Sequence, residues 1–138
     1  MIDFIKGGGS RDHRGEICFV NDFDMAPVKR FYVIKNADTE VIRGWRAHKI
    51  EQRWFYVLAG AFELAVVQVD DWRNPSKDLA VERYTLRAED QQVIHVPPGY
   101  GTALRAMEAE SELLVFADYG IDHASQDDYT WPADYFVK

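Results

Sequence analysis

Nine short runs rich in β-branched and aromatic residues divide the sequence: Glu16–Val20, Arg30–Lys35, Glu40–Trp45, Arg53–Leu58, Ala61–Val69, Leu79–Leu86, Gln92–Val96, Thr102–Ala106 and Glu112–Ala117. Most alternate in polarity or stay apolar for their whole length, the pattern of strands. Turn signals separate them. Ala59-Gly60 reads as a tight hairpin, Asp70–Asp78 as a polar loop whose Pro75 cannot enter a central ladder, and Pro97–Gly101 as a further turn. No long stretch carries the 3.6-residue period of an amphipathic helix. Strands this short and this closely spaced predict an all-β chain, a small antiparallel β-barrel or jelly roll. The segment after Asp118 loses periodicity and is expected to cross the body as irregular structure.

One such barrel uses all 138 residues, so a single domain spanning 1–138 is expected. A 47% hydrophobic content with 28% charged residues suits a folded core. The lone Cys18 cannot close an intramolecular disulfide. Met1–Ser10 lacks the charged lead and apolar run of a signal peptide, and no apolar stretch approaches the ~18 residues of a membrane span. The expectation is a cytoplasmic protein with no membrane partner. A net charge of −7 argues against a nucleic-acid partner, which needs a basic face. That average hides an asymmetry: residues 1–55 carry 10 Lys+Arg against 8 Asp+Glu, and residues 56–138 carry 6 against 15. An acidic chain with its arginines gathered in one half can still hold a small anion.

The densest polar segment is Arg43-Gly-Trp-Arg-Ala-His-Lys49, followed by Glu51, Gln52 and Arg53. Strand alternation puts Arg46 and His48, with Ile50 and Gln52 beyond them, on one face, and Trp45 and Ala47 on the other. Polar side chains on an inner wall need partners, supplied by a ligand or by a polar network. From the residues alone, His48 reads as a packed strand histidine as readily as a base. Arg46 serves either a ligand or a salt bridge to Glu51 or a tail carboxylate, and Arg14 and Arg30 also read as surface arginines. His95, before Val96-Pro-Pro, reads as packed; His13 and His123 read as loop residues.

The strand order, the segment Arg43-Gly-x-x-Ala-His-Lys49 with Gln52 and Gly60, and the Pro97-x-Gly99 turn resemble a cupin. More narrowly the chain resembles the WxcM-like sugar 3,4-ketoisomerases, which act on deoxythymidine-diphosphate-linked 4-keto-6-deoxyhexoses. Asp12-His-Arg-Gly15, Lys29-Arg-Phe-Tyr-Val-Ile34 and Asp128-Tyr129 match further family segments, from about residue 10 to the end. One departure stands out. Where the family has two histidines, Arg-Gly-x-His-Ala-His-Lys, this chain has Arg46 and keeps only His48. The related 3,5-epimerases place their base at the first of those positions, so Arg46 counts more against an epimerase than against a ketoisomerase. Metal-binding cupins carry His-x-His-x3-Glu and a later histidine; the corresponding positions here are Arg46, His48, Gln52 and Thr102. Only one is a good ligand where a catalytic site needs three, so neither metal nor cofactor is expected.

The resemblance implies an isomerase of a nucleotide-linked sugar in deoxysugar and surface-polysaccharide biosynthesis. Moving a carbonyl from C4 to C3 requires removal of the C3 proton, an enediolate, and reprotonation at C4. That calls for a base near neutral pKa and a stabiliser for the oxyanion. His48 is the candidate base, Tyr32 the candidate proton relay, and Arg43 or Arg46 the candidate stabiliser. Arg14, Arg30, Arg43 and Lys49 are candidates for the diphosphate, with Gln52 and Tyr100 as further substrate contacts. The alternatives are a non-catalytic nucleotide-sugar-binding cupin and a 3- or 5-epimerase. An exposed apolar strand leaves a barrel edge to be covered, and the similar family forms dimers, so a homodimer is expected.

Overall fold

In the computed structural model, which describes residues 1–136, nearly all regular structure is strand. The strands are β1 (Asp3–Lys6), β2 (Gly8–Asp12), β3 (Gly15–Phe19), β4 (Arg30–Ile34), β5 (Ile42–Ala47), β6 (Arg53–Ala59), β7 (Ala61–Gln68), β8 (Glu82–Arg87), β9 (Gln92–Val96), β10 (Tyr100–Ala106), β11 (Glu112–Ala117) and β12 (Tyr129–Thr130). One turn of helix, α1, covers Ile121–Ala124. Two five-stranded antiparallel sheets, ordered β1-β9-β6-β11-β4 and β12-β5-β10-β7-β8, enclose the core, and β2-β3 forms a separate hairpin. This is the jelly roll that the strand spacing predicts. Among the described residues no helix is long and apolar enough to cross a membrane.

Alternation sets the inner wall. Phe55 and Val57 of β6, Leu64 and Val66 of β7, Leu104 of β10, and Leu113 and Val115 of β11 meet between the sheets. A second cluster covers the outside of the other sheet, where Trp45, Ala65, Val67 and Ala103 pack with Phe136. Close approach there demands glycine at position 44, because a Cβ would fall 2.5 Å from that of Ala103. Gly60, at φ +72°, turns the β6–β7 hairpin as expected.

Each of the nine foreseen strands has a counterpart, with ends displaced by at most three residues. Three strands were not foreseen. β1 pairs with β9 and β2 with β3, although Asp-Phe-Ile-Lys and Gly-Gly-Ser-Arg-Asp carry no sustained alternation. Pairing with a neighbour overrides composition in such segments. The tail corrects the expectation of irregular structure: β12 pairs with β5, and Trp45 and Trp131 exchange backbone hydrogen bonds of 2.8 and 3.0 Å. A strap therefore crosses the second sheet. β5 also stops at Ala47, so the alternation assumed through Gln52 breaks before His48.

Candidate functional site

A cavity of about 670 Å³ opens between the sheets, beside edge strand β4. Tyr32 and Lys35 line it from β4 and its end, Arg43 and Arg46 from β5, Arg53 from β6, Thr102 from β10 and Thr130 from β12. Register explains the convergence. Arg46 lies opposite Thr102, and Arg43 opposite Leu104, so these side chains share the face of β10 that looks inward. Arg53 precedes Phe55 and Val57 on the core face of β6. Ala117 of β11 sits between Arg53 and Arg30 in the ladder, and that small residue leaves room for both guanidinium groups.

The charges are graded by depth. Arg46 is 59% exposed in its side chain and bonds Asp128 Oδ1 at 3.1 Å; Arg43 and Lys35 are also exposed. Arg53 is 4% exposed. It donates to Thr102 Oγ1 at 3.1 Å, and the Tyr32 phenol is close enough to act on its charge. No histidine and no carboxylate lines the cavity among the described residues.

A buried polar network stands behind the wall. The Asp127 carboxylate accepts the backbone N–H groups of Lys49, Ile50 and Glu51 at 2.8, 3.0 and 2.8 Å. Its carbonyl lies 2.5 Å from His48 Nδ1; a carbonyl only accepts, so Nδ1 carries the proton. His48 Nε2 faces Glu51 Oε2 at 3.4 Å. Glu51 is held at its other oxygen by Arg30 at 3.0 Å, while Oε2 has no hydrogen-bond partner. Arg30 also donates to the Tyr119 carbonyl and lies 5.2 Å from the Tyr32 ring centroid. The chain of contacts thus runs from His48 through Glu51 and Arg30 to Tyr32 at the cavity.

Burial, aided by the Arg53 charge, pushes His48 down to about 4. Burial pushes the Glu51 carboxyl up, against the pull of Arg30 and Arg53. Burial also lowers Arg53, opposed by Tyr32 and Glu51. Because folded His48 resists protonation, the unfolded chain binds the extra proton between pH 6.5 and 4. Its contribution is therefore present above that window and lost as pH falls through it, by about 3 kcal/mol. Glu51 acts in the opposite sense, since the fold favours its proton. His48→Gln is expected to flatten the acid limb of stability against pH in urea titrations. An unchanged slope would show that His48 does not titrate there.

Of the residues singled out from the sequence, Tyr32, Arg43 and Arg46 line the cavity. His48 stands behind it, with Nδ1 on the Asp127 carbonyl and Nε2 3.4 Å from Glu51 Oε2. Arg30 is a layer back from the wall, holding Glu51. Gln52 bonds Asp118 and His95, and Lys49 lies over the rings of Trp72 and Tyr129. Arg14 is exposed on the β2–β3 hairpin, paired with Asp12. Tyr100 lines a separate cavity with Asp70 and Glu82. Arg53 was missed as a site residue. Its signal was available, since it shares the period-2 face of Phe55 and Val57. Among the described residues no three His, Cys, Asp or Glu side chains group as metal ligands would.

Solved structures of similar fold include the 3,4-ketoisomerase QdtA from Thermoanaerobacterium thermosaccharolyticum, a double mutant in complex with TDP. It matches with TM-score 0.74 and 19% identity over 98% of this chain and 91% of that one. The TDP-quinovose 3,4-ketoisomerase WlaRB of Campylobacter jejuni matches with TM-score 0.68 and 20% identity over 96% and 94%. The RmlC epimerase of Mycobacterium tuberculosis matches with TM-score 0.75 and 15% identity over 99% and 73%. A search of curated proteins found no match. The family model described as WxcM-like, C-terminal matches residues 1–138. With that match across its whole length, the chain belongs to the WxcM-like, C-terminal family.

Proposed function

We propose that the chain binds a nucleoside-diphosphate-linked 4-keto hexose between its sheets and interconverts the 4-keto and 3-keto forms. One observation carries this reading: a cavity with exposed Lys35, Arg43 and Arg46 at its rim, and Tyr32 and Arg53 within, has no carboxylate on its wall. Arginine forks suit the oxygens of a diphosphate, and the volume lies within the range of small-ligand sites. Relatives support the sugar: the QdtA structures hold TDP, or TDP-4-keto-6-deoxyglucose in one mutant.

In this reading Arg43 and Arg46 hold the diphosphate. Tyr32, which carries the ionisable hydroxyl on the wall, first gives its own proton to solvent, then as phenolate takes the C3 proton and as phenol returns it to C4. As the enediolate collapses, the hydroxyl proton on O3 passes to O4, which leaves a C3 carbonyl. Glu51 acts from behind, holding Arg30 against Tyr32, with the His48 ring packed beside it.

The test is incubation with TDP-4-keto-6-deoxyglucose in deuterium oxide, followed by proton NMR. Loss of the C3 proton signal together with 3-keto product is expected. Tight binding without exchange would favour a second reading, a nucleotide-sugar binder without turnover, which the absence of a wall histidine or carboxylate recommends. Exchange with inversion and no carbonyl transfer would make it an epimerase.

The proposal includes a homodimer. Neither strand of the β2–β3 hairpin is buried, and Ile17 is 66% exposed. The outer face of edge strand β4 carries Phe31, 67% exposed. A second copy would cover both surfaces. Light scattering should give twice the 15.9 kDa chain mass, and Phe31→Glu should shift it toward the monomer. A monomeric wild type would end this part of the proposal.

A further inference from the structure

Arg53 is a buried cation at the cavity with no carboxylate within ion-pair distance among the described residues. The acid that acts on it, Glu51, is already held by Arg30 at 3.0 Å. The one hydrogen-bond partner of the Arg53 side chain among the described residues is the Thr102 hydroxyl, and its guanidinium lies 5.3 Å from the Phe55 ring centroid on the core side. A guanidinium has five N–H donors, and one hydroxyl partner leaves donors for whatever enters. Burying an unpaired charge is strongly unfavourable, so a site that keeps one is shaped for an anion.

The anion at this depth is not the diphosphate. Lys35, Arg43 and Arg46 are exposed at the mouth and meet phosphates first. A pyrimidine base is neutral at neutral pH. The remaining source is the sugar itself, at the moment it becomes an enediolate. We infer that Arg53 is a catalytic residue that holds the developing O3/O4 oxyanion, with Tyr32 on the same cavity wall to carry the proton between C3 and C4.

This rests on the proposed isomerase reading and assigns the charge stabilisation to Arg53 instead of the rim arginines. The planar fork matches two adjacent oxygens, and a buried donor set is already oriented when charge develops. The step balances internally. The C3–H electron pair enters the enediolate, its proton converts the Tyr32 phenolate to the phenol, and the negative charge that the phenolate gives up is borne on O3 and O4 beside the guanidinium.

Two variants test it, Arg53→Met and Arg53→Lys, with thermal melts confirming that each folds. Arg53→Met should lower kcat for the 4-keto sugar by about 10²–10³-fold, as loss of one oxyanion donor does elsewhere. Its affinity for TDP, which has no sugar, should stay within about threefold. Arg53→Lys should recover part of kcat, because the charge returns without the fork. A second readout needs no turnover. Oxalate, a planar anion with adjacent oxygens, should raise the melting temperature of TDP-loaded wild type but not of TDP-loaded Arg53→Met. Equal loss of TDP affinity and turnover would move Arg53 to the diphosphate and overturn the inference, as would unchanged kcat. If wild type shows no turnover while the oxalate effect requires Arg53, the anion site stands and the isomerase reading falls. No oxalate effect in an inactive wild type overturns both.

Discussion

Asp127→Ala is expected to lose about 3–5 kcal/mol of folding stability, more than other polar substitutions near the site. Asp127 is 1% exposed, and its carboxylate accepts three consecutive backbone N–H groups in the loop from β5 to β6. Deleting it leaves three donors without their acceptor, and each buried unsatisfied group costs about 1–3 kcal/mol. Water entering the gap offsets part of the sum. Urea titration should show a lower midpoint at an unchanged slope. The consequence reaches the cavity, because the same loop carries His48 and Glu51, and Glu51 anchors Arg30 against Tyr32. A loss under about 1 kcal/mol would mean that the loop finds other partners and that the tail is a cover and not a brace.

Tyr32→Phe is expected to reduce C3 proton exchange by about 10²–10⁴-fold while TDP affinity stays within about threefold. The ring remains, so its packing against the core beneath and the Arg30 contact are retained. Only the hydroxyl on the cavity wall is lost. Removing a proton-transfer group with little change in shape separates chemistry from binding. Full exchange in this variant would pass the base to another group, and His48→Gln would then be the next substitution to assay. If TDP affinity fell instead, the phenol would belong to the binding surface.

The sandwich was legible because its core strands obey simple periods. Phe55 and Val57, Leu64 and Val66, and Leu113 and Val115 each recur at i, i+2 on the inner face. The hairpin at Gly60 was equally plain. What escaped was decided by partners distant in sequence. The two residues of β12 are a strand only because β5 lies beside them, and Gly8–Asp12 only because β3 does. The site was half legible for a related reason. Arg43 and Arg46 were found because strand alternation holds through Ala47. His48 was credited with the same inward face, but the strand had already ended, and the tail's Asp127 turned the histidine away from the cavity. Arg53 looked like one charge in a charged stretch. Its meaning came from the Phe55 side of β6, on which a charged residue is not expected without a ligand to face.

The central claim is that the cavity between the sheets is the nucleotide site, and calorimetric titration with TDP tests it most directly. Wild type should bind saturably, with an affinity that weakens as salt rises, and Arg43→Ala combined with Arg46→Ala should lose at least about 100-fold, since each charge-assisted contact is worth about 1.5–3 kcal/mol. No binding by wild type, or binding that the double substitution leaves intact, would contradict the account.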